Sequence, residues 1–383
     1  MKIFDNIIGQ PQAIAILQDA VKAAQSGIET QEMTHSWLFT GPPGSGRSIA
    51  AACFAASLVC PNNGCGVCVD CETALSGSHV DVEMVKSEGL SIKVDEIREL
   101  IMRSSWAPSI SGWRVVILND AERLTEAAAN ALLKVIEDTS NRIVWILCSP
   151  SIADVLPTIR SRCRLLALRT PTHEAIVQLL IKRDGISPEV ADYASRVSQG
   201  HIGRAKYLAQ NPESRNRRNQ ILNLVLNIKT VEDSFRFATE LIRISTEEAK
   251  SRIENLNDIE LSNFNIAYQG KGRAFVAGGA KVIKDLEREQ KSRQTRIVRE
   301  AIENTIQDIT SLFRDVMLMQ YSTGVTSINI DLKEKIESLT ATKSPTQVLR
   351  TLDSLMRARL ALMQNSSPLL VLEDIAVSVL QGS

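Results

Sequence analysis

A glycine-rich loop lies between a short apolar run and a helical stretch in the first part of the chain. The apolar run is 37–40, the loop reads GPPGSGRS at 41–48, and the helical pattern starts at about Arg47. A strand that enters such a loop and leaves it as a helix presents backbone N–H groups to phosphate. This feature predicts a parallel α/β domain with a nucleotide-type site. The residues expected to form the cradle are Gly41, Gly44, Ser45, Gly46, Arg47 and Ser48.

Arg47 stands at the position where phosphate loops of this pattern carry lysine. Lysine is a compact charge that reaches the β- and γ-phosphates, whereas the guanidinium group is a wider planar fork. Binding of ATP or ADP is compatible with this change, but fast hydrolysis is less so. The loop alone therefore leaves open whether the chain hydrolyses a nucleotide.

The acidic motif that should accompany the loop is also altered. The apolar run 115–118 ends in Asn119 and Asp120, where a magnesium-binding aspartate and a catalytic glutamate are expected. Asparagine is neutral, and aspartate is one methylene shorter than glutamate. In the alternative register Asp120 would meet the metal, and Ala121 would leave the catalytic carboxylate missing. Either register predicts a degenerate nucleotide site that includes Asp120 and lacks competent ATPase activity of its own.

Four of the seven cysteines fall within twelve residues, at Cys60, Cys65, Cys68 and Cys71. Four thiolates at these spacings can close a tetrahedron around Zn²⁺ and leave no open position for catalysis. The cluster therefore predicts a structural zinc site, with an unliganded cysteine cluster as the alternative. His79, the nearest histidine, is interpreted as a loop residue.

Apolar periodicity divides the chain into an α/β part and an all-α part. Residues 1–168 alternate short apolar runs with helical patterns, which predicts a doubly wound parallel sheet, and one predicted helix at 125–138 has a side-chain cap. Short helices predict a small lid domain at 169–212, and longer amphipathic stretches predict a helical oligomerisation domain at 213–383. The predicted strands are 37–40, 80–85, 115–118, 143–148 and 165–168.

Composition limits the classes of function. A chain of 383 residues predicts two or three domains, and equal numbers of basic and acidic residues, 44 each, exclude a global positive field for nucleic acid. We find no signal peptide or membrane-spanning pattern and expect a cytoplasmic protein. The glycine-rich segment 270–279 and the charged residues up to 297 are interpreted as a loop and a solvated helix face, with contact to DNA or a partner as the alternative.

Further motifs occur in order along the first 210 residues: His35-Ser-Trp-Leu-Phe, Leu124-Thr125, Asn130-Ala-Leu-Leu-Lys134 and Ser161-Arg162-Cys163. Together with the phosphate loop and the zinc insertion that follows it, they resemble the clamp-loader subunits of the AAA+ family. This resemblance implies an AAA+ domain, a lid and a helical collar. It also implies a hetero-pentamer with motor and delta-type subunits, which loads a sliding clamp onto primed DNA.

Within that family, Arg162 matches the arginine that acts in trans on the γ-phosphate of a neighbouring subunit. Gly203 occupies the position where motor subunits carry a nucleotide-sensing arginine. The resemblance therefore implies a non-motor subunit, and we recognise no polymerase motif. An ATP-hydrolysing motor subunit remains the alternative, and a zinc module that binds DNA directly is a third hypothesis. Lys134 would face either DNA or solvent, and Glu137 would be either a surface or a coupling residue.

Overall fold

The chain forms two compact units, Met1–Gln210 and Asn211–Ser383, in a computed structural model. The structure describes residues 1–26, 32–85, 91–104, 107–137, 142–268, 276–364 and 366–381. For 251–252, 254–268, 276–293, 363 and 381 it describes the backbone alone. Each unit is treated by itself below.

A five-stranded parallel sheet organises the first unit. Its strand order is β2-β3-β4-β1-β5, and all four neighbouring pairs are parallel. Each of the five predicted apolar runs forms one of these strands, which confirms the expected α/β architecture. The strands are β1 (Ser36–Thr40), β2 (Val82–Val85), β3 (Arg114–Leu118), β4 (Ile143–Ser149) and β5 (Arg164–Ala167).

Helices cover both faces of this sheet because its strands are apolar on both sides. In β1, Trp37 and Phe39 belong to one hydrophobic cluster, whereas Leu38 belongs to the cluster on the opposite face. The helices are α1 (Pro11–Ser26), α2 (Arg47–Val59), α3 (Val69–Ser76), α4 (Val94–Ser104), α5 (Glu126–Glu137), α6 (Pro157–Arg160), α7 (His173–Lys182), α8 (Pro188–Ser198) and α9 (Ile202–Gln210). The predicted cap of α5 is present, since Ala128 donates its N–H to Thr125 Oγ1 at 3.3 Å.

Asp81, just before β2, is hydrogen-bonded to the loop that precedes β3. Its carboxylate is fully buried and accepts the backbone N–H groups of Ser109, Ile110 and Ser111 at 2.6–2.9 Å, and also the hydroxyl of Ser111. Burial by itself would raise the pKa of Asp81, but these hydrogen bonds outweigh it and hold the pKa below its ordinary value. The ionised form is therefore the one that stabilises the fold.

We expect Asp81→Ala to lower the free energy of unfolding by about 2–4 kcal/mol at neutral pH, because it removes the charged acceptor of three backbone N–H groups and one hydroxyl. The folded-state pKa is depressed, so the stabilisation is complete above the unfolded pKa and disappears as the pH falls through the folded pKa. Urea unfolding of wild type and Asp81→Asn should differ by a constant amount above about pH 5, and the difference should shrink below about pH 4 as the pH approaches the folded pKa. A difference independent of pH would contradict this role.

The second unit is all-α, with its own hydrophobic core. Helix α11 packs against α12 and α15, and α12 packs against α14. The prediction of a helical C-terminal region is thus confirmed. The helices are α10 (Pro212–Leu226), α11 (Val231–Tyr268), α12 (Val276–Gln320), α13 (Lys333–Thr342), α14 (Pro345–Met363) and α15 (Pro368–Gln381).

A buried polar network connects three segments of this second unit. Arg218 on α10 donates Nε–H to Asp308 on α12 at 2.9 Å. The backbone N–H groups of Ile328 and Asn329 donate to Asp315, also on α12, at 3.1 and 2.7 Å. Because isolated buried charges are costly, these mutual contacts specify how the loop before α13 lies on α12.

Most of the predicted loop at 270–279 lies outside the described residues, since 269–275 are not described. Helix α12 begins at Val276, within the segment predicted to be a loop. None of the helices in the described part of the chain is long and apolar enough to span a membrane.

Candidate functional site

The phosphate loop leaves the carboxyl end of β1, between β4 and β5. Its glycines adopt backbone conformations that other residues avoid, with φ of 82° at Gly44 and 91° at Gly46. A side chain at Gly44 would also overlap His201, the residue before α9. The backbone N–H of Ile202 donates to the Gly44 carbonyl at 3.3 Å. The helical segment after the sheet therefore closes directly onto the loop.

Several hydrogen-bond donors of the phosphate loop have no acceptor among the described residues. In the described chain, the backbone N–H groups of Gly46, Arg47 and Ser48 have no acceptor, because they precede or begin α2. The hydroxyl of Ser45 is buried and likewise has no hydrogen-bond partner among the described residues. Unpaired donors at a helix N-terminus form an anion cradle.

Asn119 at the end of β3 is joined directly to the loop. The Ser48 hydroxyl donates to Asn119 Oδ1 at 2.8 Å, across 71 residues of sequence. Asn119 is 7% exposed, so the Ser48 hydroxyl contacts a buried amide group. Both groups are neutral, so Asn119 offers no negative charge to a metal ion at this position.

Two carboxyl groups and Arg47 lie within electrostatic reach of one another near the end of β3. Burial raises the pKa of Glu122, and the charge of nearby Asp120 raises it further, whereas Arg47 opposes the shift. Arg47 also acts electrostatically on Cys148, whose pKa is raised to about 12 mainly by burial at the end of β4. Asp120 has a left-handed backbone, with φ of 57°, and precedes the short helix Ala121–Arg123. The charge of Arg47 thus acts on Glu122 and Cys148 at the carboxyl edge of the sheet.

The structure brings together every predicted cradle residue and adds three that sequence reasoning missed. Glu122, Cys148 and His201 border the site, although none was proposed for it. Glu122 lies two residues after Asp120, and Cys148 is the last residue of a predicted strand. Both positions indicate a place at the carboxyl edge of the sheet, where the phosphate loop also lies. His201 had no such signal, because its approach to Gly44 spans more than 150 residues of sequence.

The four predicted metal ligands also converge. The sulfurs of Cys60, Cys65, Cys68 and Cys71 all lie within 4.8 Å of one another. The Cys60 sulfur is 3.8 Å from that of Cys65 and 3.6 Å from that of Cys68. Tetrahedral Zn²⁺ with Zn–S bonds of about 2.3 Å separates its sulfurs by roughly 3.8 Å. The donor set and its spacing therefore fit a zinc ion.

The electrostatics around the cysteines agree with a metal site. A hydrogen bond from the backbone of Val67 lowers the pKa of Cys65 to about 7, which favours thiolate. Burial raises the pKa of Cys68 and of Cys71, so a divalent cation would be needed to hold both as thiolates. Backbone N–H groups at Asn62, Gly66 and Cys71 also donate to sulfurs of the cluster at 3.3–3.4 Å.

Arg162 lies at the opposite edge of the sheet from the phosphate loop. It precedes β5, whose first residue, Arg164, pairs with Trp37 near the start of β1. The loop follows Thr40, and the three residues from Trp37 to Thr40 span about 10 Å. Arg162 is therefore separated from its own loop by the length of the strand.

Three groups of its own chain hold the Arg162 side chain. Its Nε–H donates to the carboxylate of Glu137, and Nη1 donates to the Thr158 carbonyl at 2.9 Å and to the Ser161 hydroxyl at 3.2 Å. The side chain remains 39% exposed. Glu137, which the sequence left as either a surface or a coupling residue, contacts this arginine. The guanidinium is thus oriented at the surface and accessible to another molecule.

A parallel sheet of this strand order, with a phosphate loop after β1 and a small helical segment that closes onto it, defines an AAA+-type nucleotide-binding fold. Residues 16–172 match the family model for DNA polymerase III, delta subunit. The match covers less than half of the chain and agrees with the resemblance to clamp-loader subunits.

Individual relatives have two different names. DNA polymerase III subunit delta′ of Bacillus subtilis (strain 168) is 31% identical over 207 residues, which are 53% of this chain and 62% of the relative. DNA polymerase III subunit gamma/tau of Mycobacterium bovis is 32% identical over 207 residues, which are 51% of this chain and 34% of the relative. The chain thus spans less than two thirds of either relative, and identity alone does not separate the two types.

Among solved structures, a DNA polymerase III gamma subunit-related protein from Thermotoga maritima aligns over 96% of this chain and 99% of its own. The TM-score is 0.41 and the sequence identity is 15%.

Proposed function

We propose that this chain is a delta-prime-type subunit of a bacterial DNA polymerase III clamp loader. In this role it helps to load a sliding clamp onto primed DNA, as one member of a hetero-pentamer with motor and delta-type subunits. It contributes Arg162 in trans to the ATP site of a neighbouring subunit. The placement of Arg162 at the sheet edge opposite its own phosphate loop carries the proposal, because it is far from its own nucleotide site and exposed to a neighbouring molecule.

The chain's own nucleotide site supports a non-motor role. Asn119 offers a neutral oxygen where a motor needs a metal-binding carboxylate, and Ser48 is hydrogen-bonded to it. Gly203 has no side chain with which to sense a γ-phosphate from α9. The helical second unit, with its independent core, is the proposed oligomerisation domain, and the cysteine cluster is the proposed structural zinc site.

A motor subunit is the second candidate, because the gamma/tau relative is as similar as the delta′ relative. The test is a reconstituted loader in which the phosphate-loop lysine of every other subunit is replaced by alanine. We expect DNA- and clamp-stimulated ATP hydrolysis to fall about 10²-fold or more, to background, because this chain has neutral Asn119 where a motor needs a metal-binding carboxylate. Substantial remaining hydrolysis, abolished by Arg47→Ala in this chain, would instead identify a motor.

A further inference from the structure

The contacts of Arg162 within the chain use only some of the donors of its guanidinium group. This group carries five N–H donors. Nε donates to the Glu137 carboxylate, and Nη1 donates to the Thr158 carbonyl and the Ser161 hydroxyl at 2.9 and 3.2 Å. The two N–H groups of Nη2 have no acceptor among the residues that the structure describes. Nε and Nη1 therefore hold the side chain, and Nη2 remains available to another molecule.

The contact with Glu137 differs from the other two in where its partner comes from. Thr158 lies in α6 and Ser161 directly follows this helix, so both belong to the same short segment as Arg162. Glu137 is the last residue of α5, 25 residues earlier in the chain. Of these three partners, Glu137 is thus the one that fixes the guanidinium relative to a separate helix of the first unit.

One hydrophobic cluster anchors both sides of this contact. Ile136 precedes Glu137 and is 3% exposed, and Ile159 in α6 is 1% exposed. Cys163, which follows Arg162, packs against the same cluster. Packed cores deform little, so the core sets the spacing between α5 and the backbone that carries Arg162. The acceptor for Nε–H is therefore in place within the single chain.

We propose that Glu137 is a positioning residue for the reaction that Arg162 serves in trans. It accepts Nε–H and holds the guanidinium in an orientation in which Nη2 donates to an oxygen of the neighbouring subunit's γ-phosphate. A group that is oriented beforehand does not lose side-chain freedom in the transition state, and this raises the rate. The inference rests on the proposed role of Arg162 and adds the residue that orients it.

A competing role for the carboxylate is the alternative, in which Glu137 keeps the arginine away from phosphate. The geometry favours positioning, because Glu137 accepts from Nε and leaves Nη2 without an acceptor in the described part of the chain. The two roles predict opposite results. Loss of a positioning residue slows the neighbouring site, whereas loss of a competitor accelerates it.

The test varies Glu137 in a reconstituted loader in which the neighbouring subunit is the only competent motor. Glu137→Ala should lower kcat for DNA- and clamp-stimulated ATP hydrolysis about tenfold and change KM for ATP less than about twofold, because orientation acts in the transition state. Glu137→Gln keeps an amide oxygen that accepts Nε–H and should stay within about threefold of wild type. An unchanged or higher rate in Glu137→Ala would overturn the proposal, as would a glutamine variant as slow as the alanine variant.

A double variant separates positioning from general damage to the fold. In an Arg162→Ala background, Glu137→Ala should have no further effect, because its action passes through Arg162. Asp19→Ala removes an exposed carboxylate that pairs with Lys22 on α1, and this matched control should leave the rate unchanged. Thermal melting checks that each variant is folded. Losses that multiply in the double variant would overturn the positioning role.

The result for Arg162→Ala distinguishes failure of this inference from failure of the proposed function. If Arg162→Ala slows the neighbouring site and Glu137→Ala does not, the trans role stands and the positioning role is overturned. If Arg162→Ala has no effect, both are overturned.

Discussion

Arg162→Ala in this chain alone is expected to lower ATP turnover at one site of a reconstituted clamp loader by about a hundredfold or more. A fixed guanidinium beside a transferring γ-phosphate stabilises transition-state charge and contributes about 10³–10⁵ in rate in systems that use it. The measurement is DNA- and clamp-stimulated hydrolysis, with the neighbouring subunit as the only competent motor. Under these conditions the change in rate reports on the site that Arg162 serves.

The expected loss cannot be ascribed to unfolding of the variant. Arg162 is 39% exposed and its partner Glu137 is 50% exposed. An exposed ion pair of this kind contributes about 0–1 kcal/mol to stability. Arg162→Ala should therefore melt within a few degrees of wild type while losing its effect on the neighbouring subunit.

Two further substitutions sharpen this test. Arg162→Lys keeps the charge but loses the planar fork, so it should recover only a small part of the rate. Arg160→Ala removes the same charge two residues away, where the side chain contacts the Ile152 carbonyl, and should leave the rate close to wild type. An unchanged rate in Arg162→Ala would mean that the arginine is structural and would remove the main support for the proposed function.

Loss of zinc is expected to have the second large effect. Purified protein should contain about one Zn²⁺ per chain, and Cys68→Ser should abolish stoichiometric binding, because three thiolates no longer complete the tetrahedron. Cys60 ends helix α2 and Cys71 lies in α3, and both belong to the same core cluster as Ile3 and Phe4. We expect a loss of about 4 kcal/mol in stability, which corresponds to about 10 °C in Tm.

Metal analysis and hydrogen exchange together test this prediction. Amides at 61–68 and in the N-terminal segment should exchange faster in Cys68→Ser. The two segments are connected because the Ile3 N–H donates to the carbonyl of Gly64, which lies between Cys60 and Cys65, at 3.1 Å. Cys53→Ala removes a buried thiol from α2 that is not one of the four clustered cysteines. This variant is the matched control and should retain zinc. A wild-type protein purified without chelator and free of zinc would refute the assignment.

Local patterns were sufficient to predict most elements of the fold. The five strands lie within two residues of their predicted bounds, because each is a short apolar run bordered by turn residues. Helices α13 and α15 were not identified individually. The α15 sequence, Pro368–Gln381, is apolar on most sides, so its periodicity gives little distinction between a buried helix and any other buried segment.

The candidate sites also differ in how much of each could be predicted from local sequence patterns. The cysteine cluster and the phosphate loop are each contained within about a dozen residues, so spacing alone identified their members. Glu122 and His201 escaped notice because their roles depend on which strands and helices lie beside the loop. The partner of Ser48 is 71 residues away, and the partner of Arg162 on α5 is 25 residues away.

The sequence by itself determined the phosphate loop with arginine in place of lysine, the four proposed zinc ligands and the alternation that makes a parallel sheet. These features depend on neighbouring residues and on the periods of strands and helices, which are local properties. Only the tertiary structure decided that Ser48 donates a hydrogen bond to Asn119, that His201 packs against Gly44, and that Arg162 lies at the edge of the sheet opposite its own loop. Those relations follow from strand order and register, which bring together residues that no local pattern connects.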